Sequence, residues 1–136
     1  MRPILRLLPS LSVLIGLSTL TATCGGVASP SENRVETFSA TLAVGGQNNH
    51  PFTVDKSGEL SARITDLSPT PAVIIGTALF QSLGGTCNSL YTRDDFTGLN
   101  RDVLQLPINK GSYCVAVYDP GRLMQAQNYT IRISHP

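Results

Sequence analysis

The sequence predicts an all-β fold: a small antiparallel β-sandwich with about eight strands, following an N-terminal signal sequence. Three observations carry this. Beyond residue 34, turn residues punctuate the chain roughly every eight to twelve positions. The short runs between them alternate apolar and polar side chains, as strands with one buried face do. No segment after the signal reads as a helix longer than a turn.

The elements follow in order. Phe38, Ala40, Leu42 and Val44 alternate with polar residues, and Gly45-Gly46-Gln47-Asn48-Asn49 is expected to turn the chain. Phe52 and Val54 face inward on a short strand ending at Asp55-Lys56-Ser57-Gly58. Leu60, Ala62 and Ile64 alternate against Ser61, Arg63 and Thr65, and Ser68-Pro69-Thr70-Pro71 forms a rigid connector. The run from Val73 to Phe80 is apolar on both faces, which predicts a central strand. Leu83-Gly84-Gly85-Thr86 turns into Cys87–Tyr91, and the polar stretch from Thr92 to Arg101 reads as a loop. Val103–Ile108 is a further strand. Tyr113, Val115 and Val117 alternate with Cys114, Ala116 and Tyr118 on the strongest strand, which Asp119-Pro120-Gly121 breaks. Tyr129, Ile131 and Ile133 mark the last strand.

Ahead of this domain, Arg2 and Arg6 precede an apolar stretch from Leu7 to Leu20, too short for a membrane span but suited to a signal sequence. Two processing routes stay open. Cleavage after Ala28 fits an ordinary signal peptidase. Thr21-Ala22-Thr23-Cys24 resembles a lipoprotein box, in which Cys24 is lipidated and becomes the first mature residue. Residues 1–23 are then the signal, 24–34 a flexible tether and 35–136 the sandwich, placing the protein in the cell envelope or outside the cell. Three cysteines are awkward in an oxidising compartment. With Cys24 lipidated or removed, Cys87 and Cys114 remain as a pair. Their bridge closes a loop of about 28 residues, for which the chain-entropy description gives roughly 3–4 kcal/mol.

Charge narrows the function. Only 14% of residues are charged, and removing Arg2 and Arg6 from the ten basic residues leaves eight against nine acidic ones. A near-neutral domain without a basic stripe is poorly built to neutralise phosphates, so no nucleic-acid partner is expected. Contact with a membrane is expected only through the signal or a lipid anchor.

The pattern Phe52-x-Val54, Gly58-x-Leu60, Ile64, Gly111-Ser112-Tyr113-Cys114-Val115-Ala116-Val117-Tyr118-Asp119 and Tyr129-Thr130-Ile131 resembles the bacterial pre-peptidase C-terminal domain. The resemblance spans about Val35 to His135. It implies an extracellular jelly-roll-like module, usually appended to secreted proteases, with some relatives binding calcium, collagen-like polymers or carbohydrate. This chain carries no protease sequence, and Pro71–Gly76 is apolar where many relatives are acidic.

No catalytic constellation stands out. His50, beside Pro51, and the penultimate His135 read as solvated surface residues, and there is no Gly-x-Ser-x-Gly. Asp94, Asp95 and Asp102, with Asn100, offer oxygen atoms suited to calcium, but their spacing matches no calcium loop, so no cofactor is expected. Tyr91, Arg93, Asp94, Asp95 and Phe96 form the expected binding loop, because loops on rigid sandwiches commonly carry recognition. Asn128-Tyr129-Thr130 has the form of a glycosylation sequon but falls within a predicted strand. The expectation is a non-enzymatic exported module that binds a protein or polysaccharide, or serves a structural surface role. The alternative is an accessory domain to a separate secreted protease or glycosidase.

Overall fold

In the computed structural model, residues 32–136 are described; the expected signal sequence, Cys24 and most of the tether lie outside them. The alternating segments form eight antiparallel strands: β1 (Arg34–Leu42), β2 (Gln47–Val54), β3 (Gly58–Ser68), β4 (Ile75–Leu83), β5 (Thr86–Thr97), β6 (Asp102–Ile108), β7 (Gly111–Tyr118) and β8 (Gln127–His135). They pair as two four-stranded sheets, β1-β8-β3-β6 and β2-β7-β4-β5. The chain changes sheet at every connection but one, the β4–β5 hairpin. This is the eight-stranded jelly-roll arrangement.

Alternation places the core. Leu60, Ala62 and Ile64 on β3, Tyr113, Val115 and Val117 on β7, and Tyr129, Ile131 and Ile133 on β8 are all buried and meet between the sheets. β4 is an interior strand, as its two apolar faces predict: Ile75 and Leu79 point into the core, while Gly76 and Ala78 are buried on the outer side.

Register fixes the two ends of the sandwich. Arg34 pairs with His135 at one end, where the described chain begins and finishes. Leu42 pairs with Gln127, Gln47 and Gly76 each pair with Tyr118, and Ile75 pairs with Thr97 at the other. That second end gathers the β1–β2, β3–β4, β5–β6 and β7–β8 connections. A nine-residue strand spans roughly 30 Å, so the two ends are well separated.

Several expectations are corrected. The β1–β2 turn is confined to Ala43–Gly46, closed by Gly46 N donating to Ala43 O (2.9 Å) with Gly45 at φ +67°. Gln47, Asn48 and Asn49 therefore open β2, and Val44 is exposed in the turn instead of inward on β1. Thr92–Thr97 is not loop but the second half of β5. Only Gly98–Arg101 connects β5 to β6, held by Asn100 N donating to Ile64 O.

Both histidines are buried, against the expectation of solvated side chains. They continue the inward parity of their strands: His50 precedes Phe52 and Val54, and His135 follows Ile131 and Ile133. Together they close the seam between the edge strands β1 and β2. His50 stacks on Phe38 (4.7 Å between ring centres), and its Nε2 lies 2.7 Å from the Tyr129 hydroxyl. His135 Nε2 meets Glu36 Oε1 at 3.1 Å, and its ring packs 5.0 Å from Phe52. Burial pushes the His50 pKa down, favouring the neutral ring, and pushes the Tyr129 hydroxyl up.

Cys87 and Cys114 form a disulfide, with Cα atoms 5.7 Å apart. They lie on β5 and β7, with β4 between. Strands two places apart in a flat sheet would be roughly 9–10 Å apart, so the start of β5 bends back across the outer face towards β7. The bend accounts for the full burial of Cys114 on that face. A disulfide fits a protein that folds in an oxidising, exported setting.

Candidate functional site

The outer face of the β2-β7-β4-β5 sheet carries a constellation of exposed polar and aromatic side chains built from several elements. Its geometry begins with the mismatch between β4 and β5. The pairs Ile75–Thr97 and Thr77–Asp94, Leu79–Thr92 and Phe80–Leu90, and Gln81–Ser89 and Ser82–Cys87 each leave an extra residue on β5. β5 therefore has three β-bulges, where Asn88, Tyr91 and the Asp95–Phe96 segment fall out of the regular ladder. A bulge re-aims side chains and sharpens local twist.

At the last bulge, Asp94 Oδ1 accepts from Phe96 N (2.8 Å), tying the backbone into a local turn. Asp95 then points across the sheet. It accepts a short hydrogen bond from the Tyr118 hydroxyl, and its Oδ2 lies 3.4 Å from Arg93 Nη2. The Tyr118 ring crosses β4 at Gly76, where any β-carbon would overlap it. The Tyr118 pKa is pushed up to about 12, first by burial, then by its hydrogen bond to Asp95 and that carboxylate's charge. The phenol therefore stays protonated and donates.

Phe96 projects to solvent at 61% exposure, with the Arg122 guanidinium 4.4 Å from its ring centre. Arg122 Nη1 also donates to Asp95 O, and Arg101 Nη1 donates to Phe96 O (3.3 Å). Arg122 is set in place by Asp119. The Asp119 carboxylate accepts from the backbone N–H groups of Gly121, Arg122 and Leu123 and, across the end of the sandwich, from Gly45. Burial alone would raise the Asp119 pKa, but these four donors outweigh it and hold the carboxyl below its ordinary range. Met124, on the same loop, is 96% exposed.

The expected binding residues thus divide. Arg93, Asp95 and Phe96 come together, with Asp94 supporting them from the backbone. Tyr91 is exposed at its own bulge and makes no hydrogen bond, ion pair or ring contact with the group. All five lie on a bulged strand, not on a loop. Sequence reading missed Tyr118, Gly76 and Arg122. Strand parity places Tyr118 on the outer face, but its meeting with Asp95 depends on strand order.

The acidic residues considered for calcium part company. Asp94 caps a backbone N–H, Asp95 serves Tyr118 and Arg93, and Asp102 forms a bidentate pair with Arg63 (2.6 and 2.5 Å). Among the described residues, no three His, Cys, Asp or Glu side chains gather as metal ligands. A separate open depression of about 270 Å³, lined by Gly58, Glu59, Gln105, Leu106 and Pro107, lies where β3 pairs with β6.

No protein-family model and no curated protein matches the chain. Among solved structures, it is similar to the crystal structure of Yersinia pseudotuberculosis-derived mitogen. The TM-score is 0.55, with 15% identity, covering 76% of this chain and 87% of that one. At that identity the similarity establishes the shared fold alone.

Proposed function

We propose that this protein is an exported, non-enzymatic β-sandwich module that binds a protein or polysaccharide through the outer face of the β2-β7-β4-β5 sheet. The observation that carries the reading is the last β5 bulge. It holds Asp95 against Tyr118 and exposes Phe96 beside Arg122, fixing aromatic and charged side chains on a rigid sheet without burying them. Large exposed side chains held in place in this way are what a recognition surface requires.

The placement suits an anchored module. The described chain starts at the end opposite Phe96, Arg122 and Met124, so a tether running from a lipidated Cys24 would present these residues away from the membrane. Intact mass spectrometry of the processed protein from its host tests the anchor. An acylated N-terminus at Cys24 is expected, and an unmodified start at Ser29 would contradict it.

Adsorption of the processed protein to envelope fractions of its host tests the binding reading. A Phe96→Ala/Arg122→Ala double variant, folded as judged by circular dichroism, should lose adsorption. Equal adsorption by the variant and the parent would overturn the assignment of this face.

A further inference from the structure

The class of ligand follows from what the end of β5 offers and what it withholds. β5 is an edge strand, and a regular edge would accept an extended peptide as an added strand. Here the backbone at the last bulge is already engaged. Phe96 N donates to Asp94 Oδ1, Asp95 O accepts from Arg122, and Phe96 O accepts from Arg101. At that bulge side chains have taken hydrogen bonds that an incoming strand would need, and along the strand three bulges break its register.

What remains free is side-chain chemistry. Arg93 is 62% exposed, and its guanidinium stands beside the half-buried Asp95 carboxylate, so donor and acceptor lie within 3.4 Å of one another. A pair of adjacent sugar hydroxyls, each able to donate and accept, complements that arrangement. Phe96 adds an exposed aromatic surface for the C–H face of a pyranose ring. Arg93 and Phe96 are both more than half exposed, which suits one stretch of a polymer better than an enclosed small molecule. Local charge is balanced: Arg93, Arg101 and Arg122 stand against Asp94, Asp95 and Asp119. A polyanion gains nothing from such a surface.

We infer that the β5 face binds a neutral polysaccharide, with Phe96 as the stacking surface and the Arg93–Asp95 pair reading neighbouring hydroxyls. This rests on the binding-module reading above and narrows it to one ligand class.

The test is affinity electrophoresis of the processed protein through gels containing neutral glucans, mannans, galactans or xylans, with alginate and heparin as anionic comparisons. At least one neutral polymer should retard the protein while the anionic ones do not. Phe96→Ala and Arg93→Ala should each weaken that interaction by about tenfold or more, with unchanged circular dichroism. Leu83→Ala, at the β4–β5 tip, should bind like the parent. Failure of every neutral polymer to retard the protein, retardation by anionic polymers alone, or undiminished binding by both Phe96→Ala and Arg93→Ala would overturn the inference. If envelope adsorption still depends on Phe96 and Arg122 while no neutral polymer binds, the ligand class falls and the binding module stands. If neither dependence is seen, both fall.

Discussion

β7 and β5 belong to the same sheet, yet they solve opposite problems. β7 pairs on both sides, with β2 and β4, in unbroken register, and five consecutive residues from Tyr113 to Val117 are buried. β5 pairs only with β4, is bulged three times, and exposes Leu90, Tyr91 and Phe96. The regular interior strand supplies stability. The irregular edge strand gives up ladder hydrogen bonds, resists pairing with other chains, and aims side chains outward. Substitutions should therefore separate the two roles.

The largest effects should come from the interior. Leu79→Ala, fully buried on β4, should cost about 2–5 kcal/mol in denaturant unfolding. Phe96→Ala, on β5, should stay within about 0.5 kcal/mol of the parent. A large loss of stability on Phe96→Ala would make the edge strand structural and erase the contrast. Next comes the bond that joins the two strands. A Cys87→Ala/Cys114→Ala variant should lose roughly 3–4 kcal/mol, read from the same unfolding curves.

Gly76→Ala tests how the face is assembled. The added methyl meets the Tyr118 ring and displaces it from Asp95, at a cost of about 1–3 kcal/mol. Ultraviolet titration should then show the Tyr118 phenol ionising below its parent value of about 12. An unchanged titration would mean that the ring is not held over Gly76.

The smallest effect concerns pH. The His50 pKa is lowered from 6.5 in the folded state, so the native protein binds fewer protons there than the unfolded chain. The stability linked to its neutral ring is fully present above pH 6.5 and declines as pH falls through the lowered folded value. His50→Gln should flatten that part of the stability–pH curve. A variant that follows the parent curve would remove His50 from the account.

The same contrast explains what the sequence made legible. Alternation identified β3, β7 and β8, because each buries one parity of side chains between the sheets. It also contained the positions of His50 and His135, each two residues from an inward apolar neighbour. Their polarity concealed this until Tyr129 and Glu36 were seen to partner them. β5 was illegible beyond Tyr91 for a physical reason. Each bulge inserts a residue and resets the period of two, so a strand with bulges at Asn88, Tyr91 and Asp95–Phe96 reads as an irregular polar loop. Arg93, Asp95 and Phe96 could still be singled out by residue type. Tyr118 and Arg122 could not, because the jelly-roll crossing brings them to β5 from more than twenty residues away in sequence.

The central claim is that recognition resides on the bulged strand and stability on the regular ones. Amide chemical-shift mapping of the ¹⁵N-labelled processed protein, titrated with a soluble fragment of the retarding neutral polysaccharide, tests it most directly. The account predicts saturable shifts concentrated at Arg93, Asp95, Phe96, Tyr118 and Arg122, with the β2–β3 and β6–β7 connections unmoved. Shifts centred on Gly58, Glu59 and Leu106, with β5 unmoved, would contradict it.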